Sequence, residues 1–573
     1  MVFFNQFQLI LLLVMGLAVE VRSAQASPLT PDWSATATIS PYGRPNPYGW
    51  DEKTLAEKSR LGLISALNYP VATTGVLLPE KVAYQFLNTE PGDPLFKLIK
   101  GILSLDRDFE NFQGFWAWLG LHDYPVTDEK IPYPEGVRPD YPMGVSFVRR
   151  GNTTGLTFSC AVCHSAELFG RPVLGMTNRF SNANLAFIEG QKLFHAISPE
   201  MLGIFTSANR DEIALYQSSR KNVTSIGTKA PTILGLDTAL AQVARSIARR
   251  APTEWAERDP ETEKNPRPTA LDVKIADSKP AVWWNTKYKT HWLSDGGIIS
   301  GSPVITNLMW NELGRGGDLH DLDGWIQQNR EVVENLTTAI FATRAPKWSD
   351  FIGLNVNIVR AKRGELLFQQ NCASCHGNYE KGWTLSASEF SARHQADPTL
   401  TVIDTVRVKY FSQTRVADVG TDAGRRIGMQ AMADALNPLA IAKEYGVENR
   451  TQLGYVPPPL EGIFARYPYL HNNSIPNLCA LMTPPAQRPV TYTSGEAIDP
   501  VQDYDQNCVG YPLGEKTPAI WLQAKDADLH LFDTRKEGLT NVGHYEGIFT
   551  TASGAERYSA DQKSDLIEFL KTL

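Results

Sequence analysis

The chain has 573 residues, 42% of them hydrophobic and 20% charged, with a formal net charge of −7. That length allows two or more domains with full hydrophobic cores. The composition excludes a disordered chain, and an acidic chain with no basic face gives no expectation of nucleic acid as a partner.

The first predicted element is a targeting segment. Leu9 to Val19 is apolar, and Glu20 and Arg22 stop the run. It is too short for a spanning helix, which needs ~20 apolar residues. Ala24-Gln25-Ala26 is a small-x-small cleavage site, so residues 1–26 read as a secretory signal peptide. The mature protein is expected in the periplasm or secreted, where disulfides form.

The stretch GVSFVRRGNTTGLTFSCAVCHS predicts two short extended pieces around Gly151-Asn152, leading to Cys160, Cys163 and His164. NANLAFIEGQKLFHAIS then predicts a helix. Residues 251–268, rich in proline and charge, predict a surface excursion without chemistry. AKRGELLFQQNCASCHG predicts an amphipathic helix, with Leu366, Leu367 and Phe368, running into Cys372, Cys375 and His376. The closing SADQKSDLIEFLKTL predicts a helix that Ser559 and Gln562 start as a capping box.

Cys-x-x-Cys-His therefore occurs twice. With six cysteines and ten histidines in this chain, chance gives on the order of 0.001 matches. A structural zinc site wants four ligands, and one motif offers three. A thioredoxin-like dithiol does not need the histidine. The pattern fits covalent haem c: each thiol adds to one porphyrin vinyl group, and the histidine supplies the proximal nitrogen. Two haem c groups are expected, one on Cys160, Cys163 and His164, the other on Cys372, Cys375 and His376. The expected fold is mainly α. It has two cytochrome c-like domains, residues 27–330 and 331–573, with long loops and a few short strands. Cys479 and Cys508 remain, and an oxidising compartment predicts a disulfide between them; the alternative is two free buried thiols.

Beyond the motifs, the pieces GLTFSCAVCHS, AVWWNTKYKTHWLSDG, VADVGTDAGRR, PPPLEGIFARYPYLHNNSIPNL, LFDTRKEGLTNVGHYEG and DLIEFLKTL resemble the di-haem cytochrome c peroxidase superfamily. Within it they are most similar to the long branch that holds rubber oxygenase and periplasmic di-haem fatty-acid dioxygenases and diol synthases. The resemblance covers roughly residues 140 to 573. It implies that His544 is the distal ligand of the C-terminal haem, with Met482 and His471 as alternatives. It implies that the N-terminal haem, on His164, is the open, catalytic one, and that Trp284 of the Trp283-Trp284 pair lines its pocket. Asp295 and Glu312 are candidate acids nearby, whereas Phe115-Trp116-Ala117-Trp118 reads as core. The chain departs from the family at Asn473, where the family has glycine, and at Pro457-Pro458-Pro459, where it has a basic residue.

The expected activity is oxidation of an apolar unsaturated substrate, a fatty acid, its hydroperoxide or a polyisoprenoid. Molecular oxygen insertion or hydroperoxide rearrangement would do this. The alternatives are a peroxidase fed by a small electron-donor cytochrome, and a plain di-haem electron carrier.

Overall fold

The computed structural model describes residues 31–88, 94, 97, 101–102, 112–127, 129–524 and 530–573. The expected signal peptide lies outside them. The Asp51 carboxylate accepts the Thr54 N–H at 2.9 Å and caps the first long helix, α1 (Glu52–Leu67). A three-stranded antiparallel sheet follows, from β1 (Leu78–Pro79), β2 (Val145–Arg150) and β3 (Thr153–Phe158), in the order β1-β3-β2. Its β2–β3 turn is Gly151-Asn152, with Gly151 at φ +58°, a tight hairpin of the kind Gly and Asn permit. The hairpin delivers the chain into the one-turn helix α2 (Ala161–His164) and the ribbon of β4 (Ser165–Leu168) and β5 (Arg171–Leu174).

Helices α3 (Ala183–Ala196), α4 (Ala239–Ala248), α5 (Pro303–Gly314) and α6 (Arg330–Ala342) come next. Then α7 (Ile358–Asn371) runs directly into the one-turn α8 (Ala373–His376). The ribbon of β6 (Asn378–Lys381) and β7 (Thr405–Lys409), helix α9 (Gly424–Leu436) and the closing α10 (Ala560–Leu570) complete the main elements. Ser559 and Gln562 cap α10 reciprocally. The fold is helix-rich with a few short strands. No helix among the described residues is long and apolar enough to cross a membrane.

Two large apolar cores form among the described residues, beside two smaller ones. One gathers Leu67 of α1, Val243 of α4, Leu308 of α5, Leu336 of α6 and Met429 of α9. The other gathers Phe368 of α7 with Leu566 and Phe569 of α10, around Trp348, Tyr467 and Tyr504. Each fully buried apolar side chain contributes about 1.5–3 kcal/mol. The first core takes residues from both sides of position 330. Helix α6 begins there yet packs on α1, because Gly62 lets the backbones meet: a Cβ at Gly62 would lie 1.9 Å from the Asn335 carbonyl oxygen. Helix α9 also joins the first core. The same device sets α7 on α10, where a Cβ at Gly364 would lie 1.9 Å from the Asp565 oxygen. Phe368 and Phe569 then pack with ring centres 5.2 Å apart. In α7, Phe368 is buried but Leu366 is 60% exposed, so the core-facing stripe is narrower than the sequence pattern suggested.

Candidate functional site

A single cavity of about 580 Å³ lies between the two cores and is lined by both Cys-x-x-Cys-His motifs. That volume lies in the range of small-molecule and cofactor pockets. Each motif sits on a single helical turn entered from a fixed element. The Cys160 N–H donates to the Ala66 carbonyl at the end of α1, and the His164 N–H to the Cys160 carbonyl. On the other side, the Cys372 N–H caps α7 through the Phe368 carbonyl. All four thiols are free and face the cavity. Burial pushes Cys163 and Cys372 up to about 12, so both are neutral thiols.

The wall holds four imidazoles and one thioether among the described residues: His164, His376, His471, His544 and Met482. His376 and His544 face one another with ring centres 6.2 Å apart. An imidazole nitrogen lies about 1.1 Å from its ring centre and binds a transition metal at about 2.0–2.1 Å, so two rings on one ion have centres about 6.2–6.4 Å apart. The observed spacing fits one iron between them. The His376 Nδ1 donates to the Pro458 carbonyl at 2.8 Å, which leaves its Nε2 as the ligand atom. Burial lowers His376 to about 4 and His544 to about 3, the latter helped by His376; both rings are neutral, as ligands must be. His544 has φ +50°, and its backbone N–H donates to the Val419 carbonyl at 2.7 Å. That bond holds the loop in an unusual conformation.

His164 is also lowered to about 4 by burial. Its ring neighbour is Trp283, 5.5 Å away and tilted by 41°. The backbone sets this contact: the Gly175 N–H donates to the His164 carbonyl, and the Trp283 N–H donates to the Gly175 carbonyl. Trp284 does not line the cavity, contrary to the sequence expectation. The pair sits in a 3₁₀ turn, Trp283–Tyr288, where successive side chains point about 120° apart. Trp283 therefore takes the cavity face, and Trp284 is fully buried with its indole N–H on the Glu461 carbonyl at 2.9 Å.

His471 stacks on Tyr455 at 4.2 Å, with Nε2 3.2 Å from the tyrosine oxygen. The tyrosine hydroxyl donates to the Asp422 carbonyl at 2.6 Å, so His471 Nε2 is the donor in this pair. Asn473 adopts φ +60°, the left-handed turn that asparagine tolerates. Glu312 lies outside the cavity wall and accepts from Tyr69 at 2.6 Å and Thr74 at 2.7 Å. Asp295 is likewise buried outside it. Trp116 and Trp118 are core residues. Cys479 and Cys508 form a disulfide with Cα atoms 5.0 Å apart.

Sequence reasoning missed three features of the wall. Asp237 lines it, its carboxyl pushed up by burial and its charge felt by Cys163; no motif marks it. The Pro457-Pro458-Pro459 run has no N–H groups, and its carbonyls accept from Tyr410, His376 and Arg466 in turn. Its proline content was the available signal. Finally, Lys279, Lys289, Arg315, Arg425 and Arg466 all line the cavity. Burial, then neighbouring arginines, hold Lys279 well below and Lys289 at about 8. Lys279, Arg425 and Arg466 spend hydrogen bonds on backbone carbonyls. Apolar walls, thiols in pairs, facing imidazoles and buried cations together fit a flat macrocycle with anionic edges.

Residues 454–493, which carry the proline run, His471 and Met482, match the RoxA-like, cytochrome c-like family. That stretch is thus similar to a cytochrome c-like domain, a type of domain that binds haem c. Two proteins of Sinorhizobium fredii are also similar. "Uncharacterized protein y4iM" is 31% identical over 252 residues, 38% of this chain and 49% of its own length. "Uncharacterized protein y4iJ" is 27% identical over 263 residues, 40% of this chain and 41% of its own length. The matched part therefore spans under half of each relative.

Proposed function

We propose that this chain is an exported di-haem c oxidoreductase that oxygenates or rearranges an apolar unsaturated substrate. The observation that carries the reading is the unequal pairing of its two motif histidines. His376 faces a second imidazole at iron-spanning distance, whereas the ring beside His164 is Trp283. Haem c bound at each motif would supply redox-active iron, saturated by two imidazoles at one site and open to oxygen or a hydroperoxide at the other. Cys160, Cys163 and His164 would hold the catalytic group, and Cys372, Cys375, His376 and His544 the supporting one.

The protein's own residues then shape the reaction. Phe187, Val243, Leu308 and Ile340 on the cavity wall receive an alkenyl chain and exclude water from it. Trp283 fixes the plane of the His164 imidazole by contact. Asp237, whose buried carboxyl keeps its proton more readily than a solvated one, holds and returns a proton at the cavity wall. The buried arginines Arg315, Arg425 and Arg466 would anchor the anionic edges.

The test places oleate, its hydroperoxide and polyisoprene under air beside hydrogen peroxide with a reduced small cytochrome. The proposal expects lipid oxidation without added reductant, and its loss in His164→Ala. Rapid donor-dependent peroxide loss with no lipid product selects the peroxidase. Absence of both reactions, with two six-coordinate haems, selects the electron carrier.

A further inference from the structure

Away from the cavity wall, three ligand-type side chains meet from distant parts of the chain. His122 follows the aromatic helix Phe112–Trp118, Glu167 lies on β4, and Glu496 lies in the loop after residue 493. Their ligand atoms all fall within 4.8 Å of one another. The His122 Nδ1 is 3.4 Å from the Glu496 Oε1. The backbone ties these segments together: the Phe169 N–H donates to the Ala497 carbonyl at 3.1 Å.

The histidine is the telling group. His122 is only 7% exposed, and its Nε2 is buried with no hydrogen-bond partner. An imidazole left unpaired in a protein interior costs about 1–3 kcal/mol unless something else satisfies it. Its Nδ1 faces Glu496, yet burial, followed by the charge of Arg179, lowers it to about 4. It therefore does not become an imidazolium to pair with them near neutral pH. Burial and then Glu167 push Glu496 up to about 7. Two carboxyl groups and one neutral imidazole therefore converge.

We propose that His122, Glu167 and Glu496 bind one divalent first-row transition-metal ion, which clasps the strand leaving His164 to the C-terminal loop. One imidazole and two carboxylates are a borderline-hard donor set, suited to Zn²⁺ or Mn²⁺. Three protein ligands leave positions for water. Bonds of about 2.0–2.2 Å require the three donors to close in from their present spacing. Glu496, 36% exposed at its side chain, has the freedom to do so. The two carboxylates offset the charge of a divalent ion, against the repulsion of Arg179. Because Glu167 lies three residues beyond His164, the ion would stiffen the strand that carries the proximal ligand.

The experiment uses the full haem-loaded chain, without an affinity tag, stripped with a chelator and titrated by calorimetry with ZnCl₂, MnCl₂ and CaCl₂. Elemental analysis counts metal beyond haem iron. The expected result is one equivalent of Zn²⁺ or Mn²⁺ and a raised melting temperature. Glu496→Gln and Glu167→Gln should each weaken binding at least tenfold with haem spectra unchanged, and His122→Asn should do likewise. No binding by the wild type overturns the proposal and leaves a carboxyl pair sharing a proton. Binding that survives all three substitutions also overturns it. Neither outcome bears on the haem assignment, which is read from the spectra.

Discussion

His376 and His544 line one cavity, their ring centres 6.2 Å apart and their planes inclined by 52°. They are 168 positions apart in the chain, one on the turn after α7 and the other on a left-handed loop before α10. Only the fold brings them together, and the ring spacing fits two imidazoles on one metal ion.

His544→Ala should therefore turn the C-terminal haem from low-spin to high-spin while leaving it attached. Absorption and electron paramagnetic resonance spectra read this directly. Met482 also lines the cavity. A mutant that stays low-spin, and becomes high-spin only when Met482 is also replaced, would move the ligand to the thioether.

Attachment follows from the thiols. Cys160→Ala with Cys163→Ala should halve the covalent haem and leave the site on Cys372 and Cys375 filled. Haem staining of a denatured gel and a pyridine haemochrome count decide it. A wild-type protein that loses all its haem to acid acetone would remove the premise.

The two adjacent tryptophans should separate cleanly. Trp283→Phe alters the contact with His164, so it should change carbon monoxide binding to the ferrous protein and turnover. Trp284→Phe leaves the Glu461 carbonyl without its donor, which costs about 1–3 kcal/mol. It should lower the denaturation midpoint and leave the haem spectra alone. Equal effects of both on catalysis would contradict the assignment of the cavity face to Trp283.

The crossing of α7 and α10 predicts an acid sensitivity. Asp565 accepts from Arg360 at 2.7 Å and from Arg363 at 2.7 and 2.9 Å. The hydrogen bond from Arg363 leads in holding its carboxyl below the ordinary 3.8. A carboxyl lowered by folding stabilises above its unfolded value and loses that contribution as pH falls through the folded one. Arg363 is 54% exposed, so solvent screening keeps the effect small. Asp565→Asn should reduce stability at neutral pH, and the difference from wild type should shrink below pH 3.8. Urea denaturation at several pH values measures it. Gly364→Ala, which drives a Cβ against the Asp565 backbone, should cost more, about 1–3 kcal/mol or above.

The sequence by itself determined what is local. The two Cys-x-x-Cys-His turns, the Gly151-Asn152 hairpin and the Ser559 capping box each depend on residues within a few positions of one another. Short-range geometry leaves such segments few alternatives. Tertiary structure decided everything that depends on where distant segments meet. Trp283 rather than Trp284 faces the cavity, because the turn's orientation is fixed by Gly175 and the Glu461 carbonyl. Helix α6 belongs to the first core because Gly62 of α1 admits its backbone. The buried cations, Asp237 and the carbonyl that orients His376 come from segments with no common motif. Their roles arise from burial and proximity, which a linear pattern does not encode.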